Sequence, residues 1–110
     1  MKYQEKLHNL IPGGAHTYSR GDDQFPYNAP AILKRAKGSV VFDDKNREYL
    51  DYGMGLRAVT VGYADTEINE AALEQINNGN CLTRPSLVEL KAAETIIENG
   101  INNYVSEVYG

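Results

Sequence analysis

Apolar side chains recur at two different periods along this chain, and the changes of period divide it into elements. Tyr3, Leu7, Leu10 and Ile11 fall at helical spacing, which predicts a short N-terminal helix. Pro12-Gly13-Gly14 stops that run, because proline has no backbone N–H to carry a helix on and glycine accepts positive φ. No period holds over residues 15–30, where Gly21-Asp22-Asp23, Pro26 and Asn28-Ala29-Pro30 predict a long loop. Structureless loops beyond roughly 12–15 residues in a compact domain are as a rule functional or disordered.

Residues 32–36, 39–43 and 48–52 read as three short strands, parted by Lys37-Gly38 and Asp44-Lys45-Asn46, both suited to hairpin turns. β-branched and aromatic residues dominate the second strand, as a pleated surface favours. The order predicts an antiparallel meander, which buries one face and needs a cover for it. Two helices follow. Asp65 or Thr66 can cap the first, with Glu67 and Glu70 where the helix dipole favours negative charge. Ile68, Ala72, Leu73 and Ile76 form its apolar stripe, and Gly79 stops it. The second opens on a capping box, Ser86-Leu87-Val88-Glu89, behind Pro85, and its stripe runs through Leu87, Leu90, Ala93 and Ile97 to Asn99-Gly100. Ile101, Tyr104, Val105 and Val108 continue at helical period in the tail. The expected fold class is α+β: an N-terminal helix, a three-stranded antiparallel meander, then two or three helices, which could cover one face of the sheet.

Composition narrows the functions. The chain has 110 residues, enough for one domain, and 42% hydrophobic against 24% charged residues excludes wholesale disorder. A net charge of −4 argues against a protein that tracks nucleic-acid phosphates. No run approaches the roughly 20 apolar residues of a membrane helix. Met1 to Lys6 lead into no apolar stretch, so no secretory signal is expected and the expected location is cytoplasmic. A single cysteine, Cys81, excludes an internal disulfide and a cysteine-only zinc site, and a buried inert thiol is the expectation for it.

Several local patterns bear on chemistry. Residues 53–58, Gly-Met-Gly-Leu-Arg-Ala, fit G-x-G-x-x-A after a strand, as a dinucleotide fingerprint would. That motif needs a helix N-terminus directly behind it, whereas Val59-Thr60-Val61-Gly62-Tyr63 is β-branched and broken by glycine. A flexible glycine loop leaving an edge strand accounts for it better. His8 and His16 stand in no metal-ligand spacing and read as ordinary surface or core histidines. Ser19 lacks the flanking glycines of a nucleophile elbow. Arg20 is the informative residue: it lies in the long loop, and its planar fork is suited to grip a substrate carboxylate with two hydrogen bonds.

Taken in order, Leu10-Ile11-Pro12-Gly13-Gly14, Arg20, Ala36-Lys37-Gly38, Phe42-Asp43, Glu48-Tyr49-Leu50-Asp51-Tyr52, Gly62 and Leu87-Val88-Glu89-Leu90 form a recognisable set. The chain resembles the N-terminal segment of the class III, fold-type I pyridoxal-phosphate aminotransferases, most like the glutamate-1-semialdehyde 2,1-aminomutase-like members, from about residue 5 to residue 95. The resemblance implies a homodimeric enzyme that moves an amino group through a lysine-bound pyridoxal-phosphate imine. Arg20 falls on the family's arginine for the substrate carboxylate. Gly55 and Leu56 fall on the loop that lines the substrate pocket, where the family often has a Ser-Trp pair. Loss of the indole would widen the pocket and remove a flat stacking surface, so the resemblance leaves open which substrate is taken and whether the enzyme is a mutase or a transaminase. The family's Gly-His-Pro turn is altered to Gly62-Tyr63-Ala64-Asp65.

The resemblance also implies that the phosphate-binding glycine-serine/threonine turn, the pyridine-nitrogen aspartate and the imine-forming lysine fall beyond Gly110. Residues 1–110 are accordingly expected to be one N-terminal segment of a larger enzyme, or a diverged remnant. By itself the segment is expected to hold no covalent cofactor and to be inactive. The expected role is recognition of a small amino or carboxylate substrate together with contacts in a homo-oligomer, with no nucleic acid or membrane involved. The alternatives are a non-catalytic interaction module of the same fold and, less favoured, a nucleotide-binding module.

Overall fold

The computed structural model describes residues 2–101. The tail positions Tyr104, Val105 and Val108 lie outside the described residues. The chain divides into two compact units, Met1–Glu70 and Ala71–Gly110. The first holds helix α1 (Tyr3–Leu10), short 3₁₀ turns at Pro12–Gly14, Tyr18–Arg20 and Asp22–Gln24, and strands β1 (Leu33–Lys37), β2 (Val40–Asp43) and β3 (Glu48–Leu50). Helix α2 (Thr66–Asn78) starts in the first unit and runs into the second, which also holds α3 (Leu87–Ile96) and a π-helical turn at Ile97–Ile101. The α+β order and the meander are as the apolar pattern predicts. Between Ala15 and Pro30 the structure departs from the expected featureless loop, because the two 3₁₀ turns there are closed by their own backbone hydrogen bonds.

The sheet has the order β1-β2-β3, antiparallel throughout. β1 pairs Ala36 with Val41 and Lys37 with Val40, with a bulge between Leu33 and Arg35. β3 pairs Leu50 with Val40 and Tyr49 with Val41. The strands sit within one or two residues of the predicted limits. Burial on β2 is consecutive rather than alternating: Val41, Phe42 and Asp43 are all buried. Both faces of the central strand are therefore covered, although a bare meander was expected to bury one. On one face the Arg35 guanidinium lies 3.5 Å from the centre of the Phe42 ring, a cation–π contact that also shields the ring. On the other, register sets Val41 beside Tyr49, whose hydroxyl reaches Asp43.

Asp43 organises the turn from β2 to β3. Its Oδ1 accepts the N–H groups of Lys45 and Arg47, each at 2.9 Å. Its Oδ2 accepts Arg47 Nε at 2.6 Å and the Tyr49 hydroxyl at 3.1 Å. Asn46 takes the left-handed position of the turn (φ 60°), which asparagine tolerates. Burial pushes a carboxyl up, but the Arg47 N–H and guanidinium, the Lys45 N–H and the Tyr49 hydroxyl outweigh it and hold Asp43 at about 2.

The helices start where their caps predict. Asp65 Oδ1 accepts the Ile68 N–H at 3.0 Å, so Asp65 caps α2. Gly79, with φ 96°, receives Gln75 Nε2 on its carbonyl at 2.7 Å at the other end. Ser86 and Glu89 form the reciprocal capping box of α3, at 3.3 and 2.5 Å. No residue of α2 or α3 is buried, and the stripe residues Leu73, Ile76, Leu87 and Leu90 are all more than half exposed. Among the described residues no helix is long and apolar enough to cross a membrane.

Asp43 generates a pH prediction. Its folded value near 2 lies below the ordinary 3.8. Its contribution to stability is therefore complete above about pH 4 and lost as the pH falls through about 2. Circular dichroism of the wild-type chain across that window should show an acid loss of structure. Asp43→Asn, already unable to accept these bonds as a carboxylate, should be less stable at neutral pH and lack that component. Identical acid profiles would contradict this role.

Candidate functional site

Two structures in the first unit carry the residues singled out by sequence. The first is the arm that bears Arg20. Asp22 Oδ2 accepts a hydrogen bond from Gln4 and lies 2.9 Å from His8 Nε2, so its turn is tied to α1. These bonds, Gln4 first and then His8, hold the Asp22 carboxyl below its ordinary value. Gly14 passes directly against the imidazole: a Cβ there would lie 2.9 Å from His8 Nε2, with φ already at 77°. Arg20 sits between, with its N–H on the Thr17 carbonyl at 3.1 Å and the Gly21 N–H on that of Tyr18 at 3.0 Å. Its side chain is exposed and makes no hydrogen bond or ion pair among the described residues. A cavity of about 540 Å³ opens beside it, lined by His8, His16, Thr17, Tyr18, Asp22 and Asp23, among others, but not by Arg20.

The second structure is the loop between β3 and α2. Gly38 and Tyr63 exchange backbone hydrogen bonds, both at 2.8 Å. Gly62 makes that approach possible, since a Cβ there would stand 3.2 Å from the Gly38 Cα, at φ 93°. Lys37 Nζ adds a bond to the Ala64 carbonyl at 2.7 Å. Asp51 closes the loop from inside: Oδ1 accepts the Gly53 N–H at 2.9 Å and Oδ2 the Tyr63 hydroxyl at 2.5 Å. The bond to Asp51, and then burial, raise the Tyr63 hydroxyl above its ordinary value.

Within this frame Met54, Gly55, Leu56 and Arg57 all have positive φ, at 49°, 56°, 58° and 73°. Arg57 N–H bonds the Gly53 carbonyl at 3.1 Å and Val59 N–H that of Met54 at 3.0 Å. The result is one left-handed turn, which costs about 1–2 kcal/mol for each residue that carries a Cβ. The glycine spacing predicted a flexible loop; the structure holds it at both ends and winds it the unfavourable way. No helix follows it until Thr66, so the geometry that presents backbone N–H groups to a pyrophosphate is missing. Leu56 is 67% exposed, and no hydrogen bond or ion pair joins Gly55 or Leu56 to Arg20.

Sequence reasoning missed the His8–Asp22–Gln4 cluster, whose partners are 14 and 18 residues apart and carry no spacing signal. It also expected Cys81 to be buried. The thiol is exposed, because the chain leaves the Gly79 cap in a surface turn with Cys81 itself at φ 52°. Among the described residues no group of three or more His, Cys, Asp or Glu could hold a metal ion. Nor do these residues suit the phosphate of pyridoxal phosphate. Asp22 and Asp23 line the cavity beside Arg20, Asp65 and Glu67 another of about 410 Å³, and the Lys37 amine is already bonded to Ala64. No chemical step is therefore assigned to that cofactor on these residues.

No protein-family model matches the chain. It is 33% identical over 90 residues to the glutamate-1-semialdehyde 2,1-aminomutase of Methanosphaera stadtmanae, covering 82% of this chain and 20% of that protein. Its fold matches the FumI protein of Sphingopyxis sp. MTA144, solved in its PLP form, with a TM-score of 0.78 and 28% identity over 87% of this chain and 23% of the other. An omega-transaminase from Sphaerobacter thermophilus matches with a TM-score of 0.75 and 29% identity, over 87% and 21%. The chain thus spans about a fifth of the length of the relatives it matches.

The left-handed turn makes a paired prediction. Leu56→Gly should stabilise the chain by a net amount of about 0.5–1 kcal/mol, since relief of the Cβ clash exceeds the added chain entropy. Gly55→Ala should destabilise it, having φ at 56° and a new Cβ 3.1 Å from Val59 Cγ2. Urea unfolding of both variants measures this; shifts of the same sign would contradict the turn.

Proposed function

We propose, from its match in sequence and fold to a segment of the class III pyridoxal-phosphate aminotransferases of the glutamate-1-semialdehyde aminomutase type, that this chain is the substrate-recognition segment of such an enzyme. Arg20 receives the carboxylate of a small amino substrate, and Gly55 and Leu56 form part of the pocket wall. The observation that carries the reading is the state of Arg20. Its backbone closes the turn Tyr18–Arg20, next in the chain to the Asp22–Gln24 turn that Asp22 pins to α1, while its guanidinium is exposed and bonded to nothing among the described residues. A fixed base with an unspent planar fork is what two-point carboxylate recognition requires. Leu56 in place of an aromatic ring favours a wider, aliphatic wall. Amino-group transfer itself needs the cofactor and a lysine to hold it, and in this reading both are supplied outside residues 1–110.

The exposed stripes of α2 and α3 favour association, and in this reading they serve a cytoplasmic homodimer. The same stripes support a second reading, a non-catalytic binding module. Arg20 separates the two. In the enzyme containing this segment, Arg20→Ala should raise KM for the carboxylate substrate about ten- to hundredfold, the equivalent of about 1.5–3 kcal/mol for a hydrogen bond to a charged group. Arg20→Lys should fall between. Unchanged KM in both variants would contradict the assignment. For the stripes, sedimentation of the 110-residue chain should show self-association at micromolar concentration; a monodisperse monomer with a sharp two-state melt would contradict it.

A further inference from the structure

The altered turn at Gly62-Tyr63-Ala64-Asp65 plays no part in the reading above, yet Tyr63 touches both halves of the loop that reading uses. Its backbone is locked to the sheet by the two-way bridge to Gly38. Its ring carries a hydroxyl 2.5 Å from Asp51 Oδ2, and Asp51 Oδ1 in turn holds the Gly53 N–H at 2.9 Å. Gly55 lies over the same hydroxyl: a Cβ built there would stand 3.8 Å from Tyr63 Oη. The phenol therefore spans from the sheet to the first residues of the left-handed turn. A phenylalanine would keep the anchor and lose the reach.

We propose that Tyr63 is a positioning residue that, through Asp51, sets the left-handed turn and thereby the shape of the substrate wall at Gly55 and Leu56. The inference rests on the reading of those two residues as pocket wall. It supplies a reason for tolerating a costly turn: a wall formed by strained backbone keeps its shape only while its base is held. The hydroxyl remains a donor at neutral pH, its ionisation being opposed by the neighbouring Asp51 carboxylate.

Two measurements test it separately from the wall itself. In the 110-residue chain, Tyr63→Phe should speed amide exchange at Gly53 and Gly55 by tenfold or more while Val41 and Phe42 keep their rates; unchanged exchange at the two glycines overturns the clasp. In the enzyme containing the segment, Tyr63→Phe should shift the ratio of kcat/KM between a small and a bulky amino substrate at least threefold, through KM, with kcat within twofold. Asp51→Asn should shift it the same way, and the double variant no further than the larger single. A fall in kcat with an unchanged ratio marks a merely structural role and overturns the inference. If Leu56→Ala shifts the ratio and Tyr63→Phe does not, the wall stands and the inference falls. If neither shifts it, the wall assignment falls and takes the inference with it.

Discussion

The paired backbone hydrogen bonds between Gly38 and Tyr63 are the constraint on which the candidate site depends. They join the β1–β2 hairpin turn to a point 25 residues later and turn residues 51–63 from a free connection into a closed loop. Glycine is required at Gly62, whose Cβ would press on the Gly38 backbone at 3.2 Å, while Gly38 itself takes a left-handed φ of 59°. With the ends fixed, the Asp51 carboxylate can bridge Gly53 and Tyr63, and the turn at Met54 to Arg57 can persist in a conformation that an untethered chain would abandon.

The Arg20 arm follows the same logic with side chains in place of backbone. Asp22 takes Gln4 and His8 from α1, and Gly14 leaves room for the imidazole. The carboxylate nearest to Arg20 in sequence is thereby committed elsewhere, and the guanidinium stays free. Both arrangements set exposed residues beside or on a base that is itself held, the usual condition for a group to act in binding without first being ordered. The buried centre of the sheet is small, and Asp43 supplies much of its order through polar bonds rather than apolar area.

Local signals were legible wherever one residue type answers one local need. Ser86 with Glu89, Asp65 ahead of Ile68, and Gly79 behind α2 each do what their position in the sequence predicts. The strands showed through Val40, Val41 and Phe42. Features built from distant partners were not legible. Nothing in the sequence joins His8 to Asp22, Asp51 to Tyr63, or Gly38 to Tyr63, because such pairs depend on how the chain returns upon itself. The left-handed turn was misread for a related reason. Gly53 and Gly55 suggest freedom, whereas Met54, Leu56 and Arg57 hold positive φ within a loop closed by the Gly38–Tyr63 bonds. Arg20 was picked out by residue type and by resemblance; its lack of a partner became visible only in the structure.

In the proposed function this segment offers Arg20 and the Gly55–Leu56 wall to one carboxylate-bearing substrate. The most direct test is a crystal structure of the enzyme containing the segment with a carboxylate-bearing amino substrate analogue bound. The analogue's carboxylate should lie on two guanidinium N–H groups of Arg20, with Leu56 facing its other end and the Tyr63 hydroxyl still on Asp51. An analogue held by other cations, with Arg20 in solvent or paired to a neighbouring aspartate, would contradict it.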